Sequence, residues 1–187
     1  QFLQRTYDQQ LSTFNQSAQL KRDTDHFAET IGSITNAEDL VADRQLLTVA
    51  LGAFGLEDDI NNRFFIEKML SEGTTADDAL ANRFTDTRYS DFSAAFGLGP
   101  GELRGALSPD FADDIIAKFQ ANSIEIATGD QDEDMRIALY AERTLSDVVD
   151  GDGSQAQKWF SIMGQPPLRS LFETALGLPE EFGQADI

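Results

Sequence analysis

The chain has 187 residues, 41% of them hydrophobic and 10% aromatic, so it can bury the core of one domain or of two small ones. Its net charge of −19, from 33 acidic and 14 basic residues, argues against binding to nucleic acid or to an anionic membrane surface, which carry the same sign. The chain has no cysteine for disulfides or thiolate metal sites, and it lacks the run of about 18 apolar residues needed for membrane insertion.

Residues 1–33 are rich in Gln, Ser and Thr, but apolar residues recur among them every three or four positions. On a helix this spacing places them on one face, so we predict an amphipathic N-terminal arm. The arm either packs on its own domain or pairs with another chain. The apolar stripe consists of Leu3, Tyr7, Leu11, Phe14 and Ala18, of which Tyr7, Leu11 and Phe14 are candidate interaction residues.

Residues 34–187 are predicted to form a helical domain in which capping residues begin the helices and glycines end them. Thr35 and Glu38 have the spacing of a capping box, and the helix that follows is predicted to run to Gly55. The next helix is predicted from Asp58 or Asp59 to Gly73, with Ile60, Phe64 and Met69 on its apolar face. Two more are predicted, from Thr75 to about Phe84 and from Thr85 or Asp86 to Gly97.

The glycine-rich stretch 97–105 is the clearest break in the chain, and if the domain consists of two sub-bundles we expect them to meet near residues 97–108. Ser108 and Pro109 then suit the cap and first position of a helix. The remaining helices are predicted from there toward Gly129, from Met135 to Val148, from a cap at Ser154 through Trp159 and Phe160 to Gly164, and from Pro166 to Gly177.

One short phrase occurs three times, as Ala-Phe-Gly-Leu at residues 53–56 and 95–98 and as Ala-Leu-Gly-Leu at 175–178. Glycine just after a last helical turn adopts the left-handed conformation at little cost, and the next leucine folds back onto the helix. The phrase is therefore a helix stop signal. Because no strand-like alternation of useful length occurs, we predict an all-α fold, an irregular multi-helix bundle or array with the N-terminal arm.

Three patterns that could carry chemistry are incomplete. The glycine-rich stretch lacks the lysine of a phosphate-binding loop, and Glu102 occupies the place of a fingerprint glycine. The acidic groups at 130–134 and 150–152 lack the glycine and glutamate of a calcium loop, so we interpret them as stabilising helix N-termini. The single histidine, His26, is interpreted as solvated or loosely packed. We therefore expect no catalytic residue, cofactor or metal.

Residues 86–98, which read DTRYSDFSAAFGL, resemble a bacterial family known as domain of unknown function 1217, as do residues 65–73 and 79–83. The closing segments 175–179, 182–183 and 185–187 are similar to it too. Members of that family are typical of alphaproteobacteria, and their genes often lie among flagellar genes. The resemblance implies an association with the flagellum and brings no activity or catalytic residue with it.

Arg88 and Tyr89 follow a capped helix start, and both residue types are enriched at the energetic centres of interfaces, so they are further candidate interaction residues. We expect a non-enzymatic structural or assembly protein associated with the bacterial flagellum, which contacts a flagellar protein or another copy of itself through helices. The alternative is a cytosolic acidic adaptor or export chaperone that holds a basic partner. An enzyme that uses carboxylates alone ranks third.

Overall fold

The computed structural model describes residues 18–129, 133–150 and 154–178, and within these ranges it contains helices and no strand. The predicted all-α class is confirmed. Short 3-10 segments at Ile31–Ser33, Glu57–Asn61, Leu80–Arg83 and Gly105–Leu107 join the helices. The α-helices are α1 (Ala18–Thr30), α2 (Ala37–Ala42), α3 (Arg44–Gly52), α4 (Arg63–Glu72), α5 (Arg88–Phe96), α6 (Phe111–Gly129), α7 (Glu133–Asp150), α8 (Gln155–Met163) and α9 (Pro166–Leu176).

The chain divides into two compact units. The first contains the described residues up to Phe84 together with Arg88–Ile124, and the second contains Thr85–Thr87 and the described residues from Glu125 onward. Residues 97–108 lie inside the first unit, whose boundary with the second falls within α6. The predicted division into an arm and a helical domain stays a prediction, because residues 1–17 lie outside the described residues.

Helix α3 is the centre of the first unit. It packs against α1 and α2, and a side-chain atom on Gly52 would come within 2.6 Å of the Phe119 ring of α6. Most of its residues are apolar and buried, while Arg44 and Gln45 at its start are exposed and Thr48 is partly exposed. A helix with so wide an apolar surface is stable only when other elements cover that surface. The fully buried side chains of α3 are Leu46, Leu47, Val49, Ala50 and Leu51, each 0% exposed.

The second unit has a smaller core, formed where α9 packs on α7 and α8. Its buried apolar residues are Ala141, Ile162 and Leu168. Arg143 supports this core from α7, since its guanidinium donates two hydrogen bonds, of 2.7 and 3.0 Å, to the buried carboxylate of Glu125. A two-point bond of this kind fixes the orientation of both side chains.

The predicted helix stop signals are confirmed. Gly55, Gly97 and Gly177 have φ angles of +68°, +58° and +65°. The leucine that follows the glycine turns its amide back onto the preceding helix in two of the three cases. The Leu56 amide donates to the Leu51 carbonyl at 3.0 Å, and the Leu178 amide donates to the Glu173 carbonyl at 2.8 Å. These bonds satisfy carbonyls that the end of a helix leaves without partners.

The predicted capping box at Thr35 and Glu38 is wrong by one residue, and the helix does not run unbroken to Gly55. The cap of α2 is Asn36, whose side-chain oxygen accepts from the Asp39 amide at 2.9 Å. Asp43 then breaks the helix, because its extended backbone starts α3 and its carboxylate accepts from the amides of Gln45 and Leu46. Local side-chain bonds of this type compete with continued helix.

Three further predictions differ in detail. Phe64 is 80% exposed, because α4 turns Ile66, Met69 and Leu70 to the core and residue 64 then points the opposite way. Residues 75–84 form turns and a 3-10 segment rather than an α-helix. Helix α6 begins two residues after Pro109, so that proline lies in the preceding turn.

Replacement of Gly97 by alanine should destabilise the first unit much more than the same change at Gly101. Both glycines have positive φ, so each alanine incurs about 1 to 2 kcal/mol of backbone strain. A Cβ at position 97 would also lie 2.0 Å from the Leu103 carbonyl oxygen, whereas at 101 nothing lies within 4 Å. We expect Gly97→Ala to lower the free energy of unfolding by a further ~2 kcal/mol. Equal losses in urea titrations followed by circular dichroism would contradict this packing.

Candidate interaction surfaces

Arg88 and Tyr89 connect α5 to the turn that follows α3. The Arg88 guanidinium donates a hydrogen bond to the carbonyl of Gly55, at the end of the first stop phrase. The Tyr89 hydroxyl donates to a carboxylate oxygen of Asp59 at 2.7 Å. Both side chains therefore take part in packing the first unit, and their partly buried position leaves some of each at the surface.

The Tyr89 ring belongs to a small aromatic cluster. Its centroid lies 5.6 Å from that of Phe65 and 5.1 Å from that of Phe84, and the Phe65 and Phe84 rings meet edge to face at 5.5 Å. Such pairs contribute about 0.5 to 1.5 kcal/mol beyond their buried area. The role of Arg88 and Tyr89 in binding a partner stays a prediction. Tyr7, Leu11 and Phe14 lie outside the described residues.

A second surface, on α8 and α9, did not emerge from the sequence as a candidate site. Trp159, Phe160 and Leu176 are 46, 69 and 62% exposed, and the Phe172 ring meets the Trp159 ring edge to face at 5.4 Å. We call these four side chains the α8–α9 face. Its signal in the sequence is the pair Trp159-Phe160 on a nine-residue helix whose core contact is Ile162. Ile162 is buried, whereas both aromatic residues just before it on this helix remain exposed.

The charge of this surface also differs from that of the whole chain. Residues 154–178 contain two basic residues, Lys158 and Arg169, and one acidic residue, Glu173, a net charge of +1 in a protein of net charge −19. Lys158 donates to the Val149 carbonyl at the end of α7, and Arg169 lies 3.9 Å from the Glu173 carboxylate. The two helices that carry the apolar α8–α9 face are therefore not strongly acidic.

In the glycine-rich stretch the chain's own carboxylate takes the position that an anionic ligand would occupy. Glu102 accepts from the amide and hydroxyl of Thr74, at 2.5 and 2.7 Å, and from the amide of Gly99 at 3.0 Å. Burial raises the pKa of Glu102, but these hydrogen bonds lower it by more, so the pKa lies below its usual value. Glu102 thus joins the loop after α4 to the loop after α5.

His26 is half-buried and hydrogen-bonded, which corrects its interpretation as a solvated or loosely packed residue. Its Nε2 atom lies 2.7 Å from Oδ2 of Asp43, the residue that caps α3. Burial raises the pKa of Asp43, but the bond to His26 and the amides of Leu46 and Gln45 lower it by more, so the pKa lies below its usual value. The pair fastens α1 to the start of the central helix.

Within the described ranges, no group of three or more histidine or acidic side chains is arranged to hold a metal ion. Much of the two acidic groups noted in the sequence, residues 130–132 and 151–153, falls outside those ranges. In the part of the chain that the structure describes, no helix is both long and apolar enough to cross a bilayer.

Comparison with known proteins assigns the family. A family model described as "Protein of unknown function (DUF1217)" matches residues 53–187. The chain belongs to the DUF1217 family. The matched DUF1217 region begins within the first stop phrase and includes Arg88, Tyr89 and the α8–α9 face, so the resemblance to this family is confirmed. None of the curated proteins with which the chain was compared matches it.

A crystal structure of a protein from Agrobacterium tumefaciens, a target of the Northeast Structural Genomics Consortium, is similar to this DUF1217 chain. The TM-score is 0.80 at 25% sequence identity, over 100% of this chain and 75% of that one. The likeness therefore includes α1, α2 and α3, which precede the residues matched by the family model.

Substitutions at Tyr89 should separate its ring from its hydroxyl. Tyr89→Phe removes the bond to Asp59 and should lower the free energy of unfolding by about 1 kcal/mol. Tyr89→Ala also removes the ring from its cluster and should lower it by about 3 kcal/mol. Asp59→Ala completes a double-mutant cycle, because it removes the same hydrogen bond from the acceptor side and its loss should therefore not add fully to that of Tyr89→Phe. Additive losses would show that the hydroxyl and carboxylate do not interact in solution.

The bond between His26 and Asp43 predicts a pH dependence of stability. Because the pKa of Asp43 is lowered in the folded protein, its stabilising contribution is complete above about pH 4, the unfolded value, and is lost as pH falls through the folded pKa. Asp43→Ala should cost about 1 to 2 kcal/mol at pH 7 and progressively less below pH 4. Asp25→Asn is the matched control, since Asp25 is exposed and pairs with Lys21 of its own helix. A pH-independent difference between Asp43→Ala and wild type, from denaturant titrations, would contradict the assignment.

Proposed function

We propose that this DUF1217 protein is a non-enzymatic structural or assembly protein of the bacterial flagellum, which acts through helix-mediated protein interaction. The observation that carries the proposal is the α8–α9 face. Trp159 and Phe160 are neighbouring exposed aromatic residues of α8, Leu176 is exposed on α9, and the Phe172 ring of α9 meets the Trp159 ring edge to face. Exposed apolar surface marks interaction sites when its residues cluster, and aromatic residues dominate the energetic centres of interfaces.

The arrangement of the polar groups supports a scaffold rather than an enzyme. His26 is bound to the capping carboxylate Asp43, and Glu102 is surrounded by the donors of two loops. Glu125 is buried and paired with Arg143. Each of these groups stabilises a helix end or a helix contact, whereas a catalytic acid or base is directed at a substrate cleft. The flagellar part of the proposal is supported by what the family resemblance implies about gene neighbourhood.

The alternative function is that of a cytosolic acidic adaptor or export chaperone. The observation that favours it is the net charge of −19, which would attract a basic partner over long distances. The two functions differ in the physical nature of the main contact. A complex held by charge weakens when salt screens it, whereas an apolar helix contact does not.

Fractionation of the source bacterium tests the proposal. Antibody against the protein should detect it in purified basal bodies or filaments, and the association should survive washing with high salt, since its main contact is apolar. Phe160→Ser should reduce the retained amount about tenfold, and Leu103→Ser should not change it, although Leu103 is 87% exposed in the first unit. Consistent absence from flagellar preparations, together with a soluble complex that high salt dissociates, would refute the structural role and favour the adaptor.

A further inference from the structure

Much of the apolar α8–α9 face is exposed to solvent in a single copy of the chain, so a binding partner could bury it. Trp159, Phe160 and Leu176 keep 46, 69 and 62% of their surface exposed. Leu176 follows Phe172 by one helical turn, so it extends the same side of α9 that contacts Trp159. The face therefore joins exposed apolar side chains of two helices that pack together, and an amphipathic helix can bind a surface of this kind.

Residues 1–17 have the composition of such an occupant. Their charged residues are Arg5 and Asp8, so the segment is neutral in a chain of net charge −19. An apolar stripe recurs in them every three or four positions, at Leu3, Tyr7, Leu11 and Phe14. A helix with that stripe would present one narrow apolar face and a polar remainder.

The stripe is out of phase with the face by which α1 packs into the first unit. Ala18, the last member of the stripe, is exposed at the start of α1, while Leu20, Thr24 and Phe27 are buried. Residues 18 and 20 lie about 200° apart on a helix, so a helix in register with α1 would turn the stripe away from that core. Burial of the stripe would therefore require an apolar surface other than the core that α1 contacts.

We propose that residues 1–17 of one copy bind as an amphipathic helix to the α8–α9 face of a second copy. The inference rests on the proposed assembly function and identifies the partner as the chain itself. Each copy carries one arm and one face, which are different surfaces, so the contact is heterologous. Repetition of a heterologous contact produces a ring if it closes and an open filament if it does not.

Electrostatics favours this pairing over other contacts between two copies. Surfaces of like charge repel, so most approaches of two chains of net charge −19 are opposed. The arm segment, with net charge zero, and residues 154–178, with net charge +1, add no like-charge repulsion of their own to the contact. A 17-residue helix spans about 25 Å and buries a small interface, so we expect a single contact to be weak and reversible.

The single tryptophan of the chain makes the binding directly observable. Trp159 lies in the face, and residues 1–17 contain no tryptophan, so fluorescence excited selectively at tryptophan reports the face alone. The probe is a synthetic peptide of residues 1–17. The receptor is the full chain with Leu11→Asp and Phe14→Asp, which disables its own arm. Saturable blue-shift of the Trp159 emission on titration of the peptide is the expected result.

Matched variants locate the contact. The peptide with Leu11→Asp and Phe14→Asp should produce no shift, and Phe160→Ser in the receptor should weaken binding at least about tenfold. Leu103→Ser, at an exposed leucine of the first unit, should leave the titration unchanged. Circular dichroism checks that each receptor remains folded, as expected for substitutions at exposed sites.

The oligomeric state provides the second measurement. The mass of the wild-type chain in sedimentation should rise with concentration, and either the arm substitutions or Phe160→Ser should abolish the rise. No spectral shift with saturating peptide, or a rise that Phe160→Ser leaves intact, would overturn the inference. A monomer at all concentrations whose Trp159 emission changes when the arm is disabled would overturn it too, since the arm would then bind its own chain.

Failure of this inference is distinguishable from failure of the proposed function. A monomeric protein that still copurifies with flagella through Phe160 would retain the assembly function and use the α8–α9 face for another protein. A chain that associates with itself as described but is absent from flagella would lose the proposed function and keep the self-contact.

Discussion

Burial of the apolar side chains of α3 is the constraint on which the first unit depends. Residues such as Leu46 and Leu51 are inaccessible to water, so the surrounding helices must cover them with apolar atoms. Gly52 at its end allows the Phe119 ring of α6 to approach closely.

Polar bonds decide where those helices begin and how they meet. Asp43 has two structural roles. Its carboxylate caps α3 and is also hydrogen-bonded to His26, which holds α1 in place. Glu102 does the same for two loops. Side chains that would attract interest as catalytic or anion-binding groups thus have structural partners. On α8 and α9, two aromatic residues and a leucine remain exposed beyond the need of the core, which directs attention to association.

Much of the fold follows from local physics. Helix ends at Gly55, Gly97 and Gly177 could be predicted because the left-handed conformation is nearly free for glycine and costly for other residues. The capping box at Ser154 and Gln157 was equally accessible, since its bonds span only three residues. The break at Asp43 was harder to predict, because Leu40 and Leu47 continue one apolar face through it. Asp43 caps α3 through the nearby amides of Gln45 and Leu46, and the structure adds a bond to His26, seventeen residues earlier.

The sequence by itself determined the all-α class, several helix ends and the net charge, because these depend on residues within a turn of each other and on composition. It could not determine which apolar residues remain exposed to solvent in the folded protein. Phe64, Trp159 and Phe160 have the same chemistry as the buried phenylalanines, and only the packing of distant helices decides that Phe92 has no water contact while Phe160 is largely exposed. Burial is a property of where the other helices lie, and that information is distributed over the whole chain.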